Sequence, residues 1–141
     1  MEEKTKSKQV AALPYRMGES GPEVLLITTR TTRKWSIPKG WPMKGRKAHA
    51  AAEIEAFEEA GVVGKIGRRR LGHFKHYKEV GRRAVECAVE IFPLAVKKML
   101  NRWPEKQERK RQWFGWKQAA RLIGKDDLRR LINSFAQRRS R

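Results

Sequence analysis

Hydrophobic residues occur in short runs along the chain, and the clearest runs have the composition of β-strands. Glu23 to Thr29 is aliphatic and β-branched almost throughout, which is typical of a strand that is buried on both faces. Gln9 to Tyr15 and Ala84 to Leu94 are two further predicted strands, and Pro14 is expected at a strand end or a sheet edge. Because a strand buried on both faces needs cover above and below, we predict helices on both sides of a sheet.

Three other segments have the patterns of helices. An alanine-rich stretch that stops at Gly61 has high helix propensity, and glycine is common just after a helix end. Lys117 to Ile123 and Asp126 to Ala136 are the other two, and in the second the apolar residues recur at intervals of three and four. We expect residues 1–7 and 137–141 to be flexible tails.

The segments between these elements are more polar. Lys65 to Glu79 is a predicted strand with imperfect alternation, and the Gly-Arg-Arg sequence that follows predicts a hairpin turn. Lys97 to Asn101 is expected to form a short helical turn or a bulge. Pro104 to Arg111 is too polar for a core, so we expect a loop at the rim of a site, where Glu105 and Glu108 are candidate general bases.

The alanine-rich helix combines an acidic face with an apolar one. Steps of about 100° per residue place Glu55, Glu58 and Glu59 within one arc. Three neighbouring carboxylates repel one another, and oxygen ligands suit Mg²⁺ or Mn²⁺, so a divalent cation is the natural ligand for this face. The alternative is a solvated acidic face, which is common on helices. The neighbouring apolar face is expected to pack on the core and consists of Ala50, Ile54, Phe57 and Gly61.

Basic residues are concentrated before and at the start of this helix. Arginine binds phosphate oxygens through a bidentate fork, and lysine binds them as a point charge. The alternative to a binding role is a solvated basic loop. The candidate substrate ligands near the predicted acidic face are Arg30, Arg33, Lys39, Lys44 and Arg46.

The composition is strongly basic. The chain has 141 residues, which is the length of one domain spanning 1–141, and its 34 Lys and Arg against 15 Asp and Glu give a net charge of +19. Such an excess favours anionic partners, whether nucleic acid, an anionic membrane or a polyphosphorylated small molecule. Charge therefore predicts the sign of the partner and leaves its identity open.

Cysteine content and hydropathy bear on the compartment. A single cysteine, Cys87, excludes a disulfide within the chain and fits a reducing compartment, and its apolar surroundings favour a place in the core. No segment approaches the roughly 20 apolar residues of a membrane span, and the first residues lack an apolar signal region. We therefore expect a cytoplasmic protein that does not enter a membrane.

The segment from Gly40 to Val62 resembles the Nudix box of the Nudix hydrolases. Two of the specified positions depart from it: Arg46 replaces the first glutamate, and Ile54 replaces an arginine that braces the catalytic carboxylates in the family. The resemblance therefore leaves open whether catalysis is weakened or lost. Aligned without gaps, seven of the nine specified positions match, namely Gly40, Glu55, Ala56, Glu58, Glu59, Gly61 and Val62.

The resemblance implies an α/β/α sandwich around a mixed β-sheet and a metal-dependent hydrolysis of a phosphoanhydride bond. It implies that Glu55 and Glu58 are catalytic and that both hold Mg²⁺ or Mn²⁺ together with Glu59. Lys39 and Gly40 would form the tight turn beside the helix and contact the substrate. Other segments are similar to bacterial proteins grouped with the diphosphoinositol polyphosphate phosphohydrolases: 35–45, 92–94, 103–105 and 113–114.

Two other functions stay open at this stage. One is hydrolysis at the 5′ end of RNA, which would combine the basic character with the acidic site. The other is a noncatalytic nucleic-acid-binding protein on the same fold, suggested by the charge of +19, by Arg68 to Arg70 and by the departure at Ile54. The expected substrate of the leading hypothesis is an anionic small molecule such as a diphosphoinositol polyphosphate or a dinucleoside polyphosphate.

Overall fold

The structure is a computed structural model that describes residues 6–140, and this part of the chain forms a mixed sheet with helices on both of its faces. The predicted sandwich is therefore confirmed. The strands are β1 (Lys6–Gly18), β2 (Gly21–Thr28), β3 (Trp35–Ser36), β4 (Lys39–Gly40), β5 (Val62–Ile66), β6 (Gly72–Val80), β7 (Arg83–Met99) and β8 (Arg111–Gly115). The helices are α1 (Ala48–Glu55), which continues as a π-helical turn over Ala56–Ala60, α2 (Trp116–Leu122) and α3 (Asp126–Arg139).

The two longest strands, β1 and β7, form the centre of the sheet. They pair in parallel from Lys6 to Tyr15 of β1, whereas the other pairings in the described range are antiparallel. The start of β2 pairs with the end of β1, and its last two residues pair with β3. β8 pairs with β2 from Glu23 to Ile27, while β5 and β6 both pair with β7. The short strand β4 pairs with β1 at Val10 and Ala11. This pairing brings Lys39 and Gly40 to the middle of the sheet.

Alternate residues of β1 face two separate hydrophobic cores. Ala11 and Leu13 belong to the core beneath α2 and α3, which also contains Leu128. Val10 and Ala12 belong to the core beneath α1. Because successive strand residues point to opposite faces of a sheet, a helix layer on each face buries both sets.

The face of α1 that packs on the sheet differs from the predicted one. Phe57 is 41% exposed and Ile54 is only half-buried, so the expectation that they form the packing face with Ala50 is wrong. Alanine side chains let the helix lie close to the sheet, and the acids on the same side follow them inward. The buried residues of α1 and its π-helical turn are Ala51, Ala52, Glu55, Ala56, Glu59 and Ala60.

Two strand predictions need correction. Pro14 lies inside the central strand, not at its end or at an edge. On the edge of β1 away from β7, Ala12 donates to the carbonyl of Pro38, and pairing with β2 begins only at Tyr15. Pro14 lies between these two contacts, so no partner on this edge needs the backbone N–H that proline lacks. Residues from Lys97 to Met99 belong to β7, and the pairing of β7 with β5 shifts register after Val63. Of the two forms predicted for this segment, the bulge is confirmed and the helical turn is wrong.

The ends of the described range extend further into regular structure than predicted. α3 continues to Arg139, whose guanidinium lies over the rings of Tyr15 and Phe135. Residues 6 and 7 belong to β1, and the rest of the expected tails, residues 1–5 and 141, lies outside the described residues. Within residues 6–140, no helix has the length and apolar character needed to cross a membrane.

Candidate active site

Two buried carboxyl groups, those of Glu55 and Glu59, lie at the centre of the candidate site. They are one turn apart where α1 passes into the π-helical turn, and such irregular turns are frequent at functional sites. Glu55 is 9% exposed and Glu59 is 7% exposed. On the sheet side, the backbone N–H of Lys39 donates to Oε1 of Glu59 at 3.2 Å. Strand β4 therefore supplies a direct partner to one of the two acids.

Gly40 makes room for the carboxyl group of Glu55. A Cβ at this position would lie 2.3 Å from both the carboxyl carbon and Oε1 of Glu55, which is far inside van der Waals contact. Strand β4 can therefore run beside the acid only if this residue has no side chain. Gly40 therefore leaves the space that the Glu55 carboxyl group occupies, and its backbone also lines the cavity.

The two acids face a cavity of about 630 Å³. Glu58, which is half-buried, and Gln9 line the same cavity. The side chain of Gln9 is 4% exposed, and its Oε1 has no hydrogen-bond partner among the described residues. A buried polar oxygen without a partner is costly, so a ligand or ion in the cavity is expected to interact with it.

The carboxyl groups of the pair hold protons more tightly than ordinary glutamates. Burial raises the pKa of Glu55 to about 8, and the negative charges of Glu59, Glu58 and Glu105 add to the shift. Burial also raises the pKa of Glu59, although the positive charge of Arg109 opposes this change. Nearby positive charge therefore does not fully neutralise the two carboxylates, and a bound cation could neutralise them in place of a proton.

The end of the acidic helix is held from outside the helix. Gly61 ends the π-helical turn in a left-handed conformation (φ 65°), and the ring of Trp103 lies where a Cβ of Gly61 would point. Trp103 Nε1 donates to the carbonyl of Glu59 at 3.2 Å. Arg111 Nη1 donates to the carbonyls of Ala60 and Gly61 at 3.0 and 3.1 Å. These donors satisfy carbonyl groups that a helix end leaves without partners.

A buried arginine from the loop between β7 and β8 contacts the acidic pair. Arg109 Nη2 lies 3.7 Å from Oε2 of Glu59, and Arg109 Nε donates to Oε1 of Glu105 at 2.9 Å. Arg109 Nη1 donates to the carbonyl of Thr28 at 3.1 Å, and the side chain is 10% exposed. The backbone N–H of Glu105 in turn donates to the carbonyl of Glu58 at 3.0 Å. With the hydrogen bond of Trp103 described above, the loop thus contacts the acidic helix through two hydrogen bonds and one ion pair.

A second cavity, of about 740 Å³, shares a wall with the first and is basic. Lys39, His76 and Tyr77 line both cavities, and Lys34 and Lys125 line the second. Lys125 Nζ lies 3.0 Å from Nδ1 of His76. Burial and the charges of Lys39 and Lys125 lower the pKa of His76 to about 4, so its imidazole is neutral at pH 7. This neutral ring can accept a hydrogen bond from the lysine.

Lys39 connects the two cavities. Burial lowers its pKa, the negative charge of Glu59 opposes the shift, and the positive charges of Lys125, Arg109 and Lys78 lower the pKa further. Several cations thus face one another across a small space. An anionic ligand would relieve their mutual repulsion.

The structure brings together some of the predicted site residues and separates others. Glu55, Glu58 and Glu59, together with Arg30, Lys39 and Gly40, line the first cavity. Lys44 and Arg46 are exposed in the turn before α1 and do not line it, and the exposed Arg33 donates instead to the carbonyl of Glu108. Of the two candidate loop bases, Glu105 lines the cavity and Glu108 pairs with Arg30 at 3.5 Å.

Several residues of the site carry no signal in the sequence. Gln9 and His76 are single polar residues on strands, and Arg109 lies in a run of charged residues that resembles a solvated loop. Lys125 follows a glycine between two helices, where an exposed lysine is ordinary. Only pairing in the sheet and packing of the loop bring these residues to the cavity.

The residues present fit a hard divalent cation. The donors at the acidic pair are carboxylate oxygens with an amide oxygen from Gln9 in the same cavity, and such oxygen sets suit Mg²⁺ or Mn²⁺. Within residues 6–140, no three His, Cys, Asp or Glu side chains are arranged as a complete metal site. An ion at the pair would therefore need further oxygens from solvent or substrate, as Mg²⁺ sites with bound phosphates commonly have.

Comparison with known families decides the assignment. The model of the NUDIX domain matches residues 6–135, a range that includes both the acidic helix and the loop with Arg109. The chain belongs to the Nudix family. It is a Nudix hydrolase, and its curated relatives include enzymes named phosphohydrolases.

Two curated relatives show the range of the similarity. The chain is 34% identical over 119 residues to diphosphoinositol polyphosphate phosphohydrolase 3-beta of Bos taurus, which covers 82% of this chain and 68% of the relative. It is 31% identical over 134 residues to Nudix hydrolase 21, chloroplastic, of Arabidopsis thaliana, which covers 92% of this chain and 66% of the relative. The chain thus spans about two thirds of the length of these relatives.

Solved structures show the same fold at lower identity. The binary complex of the C. elegans Ap4A hydrolase superposes with a TM-score of 0.69 and 19% identity, covering 93% of this chain and 96% of that one. The NUDIX domain of Shewanella oneidensis NrtR, complexed with ADP ribose, superposes with a TM-score of 0.64 and 14% identity, covering 96% of this chain and 90% of that one. At these identities the likeness shows the fold alone.

Proposed function

We propose that this Nudix hydrolase uses Mg²⁺ or Mn²⁺ to hydrolyse a phosphoanhydride bond in a polyanionic small molecule such as a diphosphoinositol polyphosphate or a dinucleoside polyphosphate. The observation that carries the proposal is the buried pair of Glu55 and Glu59 beside a cavity lined with cations. Glu55 and Glu59 would hold the ion. When bound, a divalent cation neutralises phosphate oxygens and lowers the pKa of the attacking water.

We assign the proton transfer to Glu58. Its side chain lines the same cavity, and its carboxylate has no ion pair or hydrogen bond among the described residues, so it is free to accept a proton from water. Glu55 is the other candidate, but burial raises its pKa to about 8, so its carboxyl group holds a proton near neutral pH unless a cation replaces that proton. Attack of water on phosphorus forms one P–O bond, and the bond to the bridging oxygen breaks.

The basic cavity supports a substrate with several phosphate groups. The acidic pair and Lys39 are adjacent, so one phosphate can lie between the ion and this lysine. Neutral His76 lies on the shared wall, and Lys34 and Lys125 line the second cavity beyond it, where a second phosphate can accept hydrogen bonds. The half-buried Trp35 packs edge-on against Phe114 at 5.0 Å and also lines this cavity. Both inositol phosphates and nucleotides are compatible with this lining.

A substrate panel tests the proposed function. Diphosphoinositol polyphosphates, dinucleoside polyphosphates, nucleoside triphosphates and capped or 5′-triphosphorylated RNA are assayed with Mg²⁺, with Mn²⁺ and with EDTA. We expect EDTA-sensitive hydrolysis of one of the first two classes, followed as phosphate release from a diphosphoinositol polyphosphate or as formation of two nucleotides from a dinucleoside polyphosphate. Turnover of RNA ends alone would support RNA 5′-end hydrolysis. Salt-sensitive RNA binding without turnover of any compound would contradict the hydrolase and indicate a noncatalytic nucleic-acid-binding protein.

A further inference from the structure

The carboxylate of Glu59 is held by an arginine that comes from outside the acidic helix. In this chain the helix itself has no arginine from Ala48 to Ala60, and Ile54 stands beside Glu55. Arg109, on the loop between β7 and β8, is the basic residue that reaches Glu59 at 3.7 Å. We infer that Arg109 is a positioning residue that orients Glu59 for metal binding, an inference that rests on the proposed function.

Two hydrogen bonds fix Arg109 in place. Its Nε donates to Glu105 at 2.9 Å, and its Nη1 donates to the carbonyl of Thr28 on β2 at 3.1 Å. Its Nη2 then faces Oε2 of Glu59 at 3.7 Å, which is an ion-pair distance and longer than a hydrogen bond. The side chain is 10% exposed, so water competes little for these contacts. A guanidinium fixed at two of its nitrogen atoms has one preferred orientation, and its charge favours one position of the Glu59 carboxylate.

The remaining oxygen of Glu59 is fixed from the opposite side. Oε1 accepts the backbone N–H of Lys39 from β4, while Oε2 faces Arg109. The carboxylate is therefore held between a strand of the sheet and a loop. The backbone N–H of Glu105 also donates to the carbonyl of Glu58, so a hydrogen bond joins the loop directly to the acidic helix.

The direction of the change in metal affinity separates positioning from simple charge. Arg109 is positive and lies next to the proposed ion, so removal of its charge alone would tighten cation binding. Removal of a residue that orients a ligand would weaken binding or activity, by about 10- to 100-fold for an outer partner of a metal ligand. The two roles thus predict opposite signs.

The test is a calorimetric titration of Mn²⁺ into the substrate-free protein. For Arg109→Gln we expect Mn²⁺ affinity about tenfold weaker and a lower kcat. Arg109→Lys keeps the charge but loses the fork, so it should also weaken binding, and it provides the test if the glutamine variant does not fold. The matched control is Arg70→Gln, which breaks a 3.6 Å arginine–glutamate pair with Glu90 outside both cavities and should leave Mn²⁺ affinity unchanged.

Amide hydrogen exchange gives a readout that needs neither metal nor substrate. The Lys39 N–H reports whether Glu59 keeps its position, so Arg109→Gln should speed exchange at this amide by about tenfold. Unchanged or tighter Mn²⁺ binding together with unchanged Lys39 exchange would overturn the inference, and a rise in KM alone would make Arg109 a substrate ligand. If Mn²⁺ does not bind the unaltered protein either, the proposed function itself fails, which the same titration shows separately.

Discussion

At the scale of single residues, Gly40 and Glu55 depend on each other. A Cβ on Gly40 would meet the Glu55 carboxyl group at 2.3 Å, whereas a Cβ on Gly115, which lines neither cavity, would have nothing within 4 Å. We predict that Gly40→Ala displaces the carboxyl group and lowers kcat by about 100-fold, since small misplacements of catalytic groups have effects of this size. Steady-state kinetics check this, with Gly115→Ala as the matched control. Equal kcat values for the two variants would contradict the proposed position of Glu55.

The raised pKa of Glu55 makes the stability of the metal-free protein depend on pH. Its pKa is about 8 in the folded state against an ordinary value of 4.5, so between these values the folded state holds a proton that the unfolded chain has released. The folded state therefore binds more protons, and its stability falls as the pH rises from about 5 to 8. In Glu55→Gln the side chain does not titrate, so this contribution to the pH dependence is absent.

Thermal unfolding in EDTA measures this effect. We predict that the Tm of the unaltered protein falls relative to the Tm of Glu55→Gln as the pH rises through this window, because titrating groups outside the acidic pair affect both proteins alike. Added Mg²⁺ should raise the Tm of the unaltered protein more towards pH 8 than at lower pH, because the proton competes less with the ion as the pH approaches the pKa of Glu55. A constant difference in Tm between the two proteins would contradict the raised pKa.

Ile54 provides a third test at this scale. Nudix boxes carry an arginine at this position, and its absence suggested a weakened site. Since Arg109 already faces Glu59 at 3.7 Å, we predict that Ile54→Arg leaves kcat and Mn²⁺ affinity close to their starting values. A large gain in either quantity would show that the acidic pair lacks a brace despite Arg109.

At the scale of elements, the acidic helix is held in place by the residues around its end. Gly61 has φ 65°, and the ring of Trp103 occupies the position that a Cβ would take. Gly45 has φ 76°, and a Cβ there would have nothing within 4 Å. A left-handed conformation costs an alanine about 1–2 kcal/mol, so both Gly61→Ala and Gly45→Ala carry this penalty. Gly61→Ala must also displace Trp103.

Chemical denaturation of the two variants separates the cost of the left-handed backbone from the cost of displacing Trp103. We predict that Gly61→Ala lowers the free energy of unfolding by clearly more than Gly45→Ala does, and that it also lowers kcat because Trp103 bonds the carbonyl of Glu59. Equal destabilisation of the two variants, with equal kcat, would show that Trp103 has no part in holding the acidic helix.

The elements also show how far sequence alone leads. The hydrophobic runs predict the central strands because burial on both faces leaves a continuous apolar signal, as in Val24 to Ile27. The inward face of α1 was predicted wrongly because Phe57 is more apolar than alanine, yet the close approach of helix and sheet admits only small side chains and the two acids. Periodicity measures hydrophobicity and does not measure the space between layers.

At the scale of the whole molecule, the site is assembled from distant parts of the chain. The glutamates are recognisable because the Nudix box keeps them at fixed spacing on one helix. Arg109 is 50 residues beyond Glu59, and Lys125 and His76 are 49 residues apart, so only sheet pairing and loop packing bring them together. No local pattern could have placed them. The net charge of +19 predicts an anionic partner, and the two joined cavities show where such a partner fits.

The central claim is that the buried pair of Glu55 and Glu59 holds the divalent ion on which hydrolysis depends. Its most direct test is Mn²⁺ binding and Mn²⁺-dependent substrate hydrolysis by Glu59→Gln, with Glu53→Gln as the control on the same helix but outside both cavities. We predict that Glu59→Gln loses at least about 100-fold in turnover and binds Mn²⁺ more weakly, while Glu53→Gln is unchanged. Undiminished binding and turnover in folded Glu59→Gln would contradict the account.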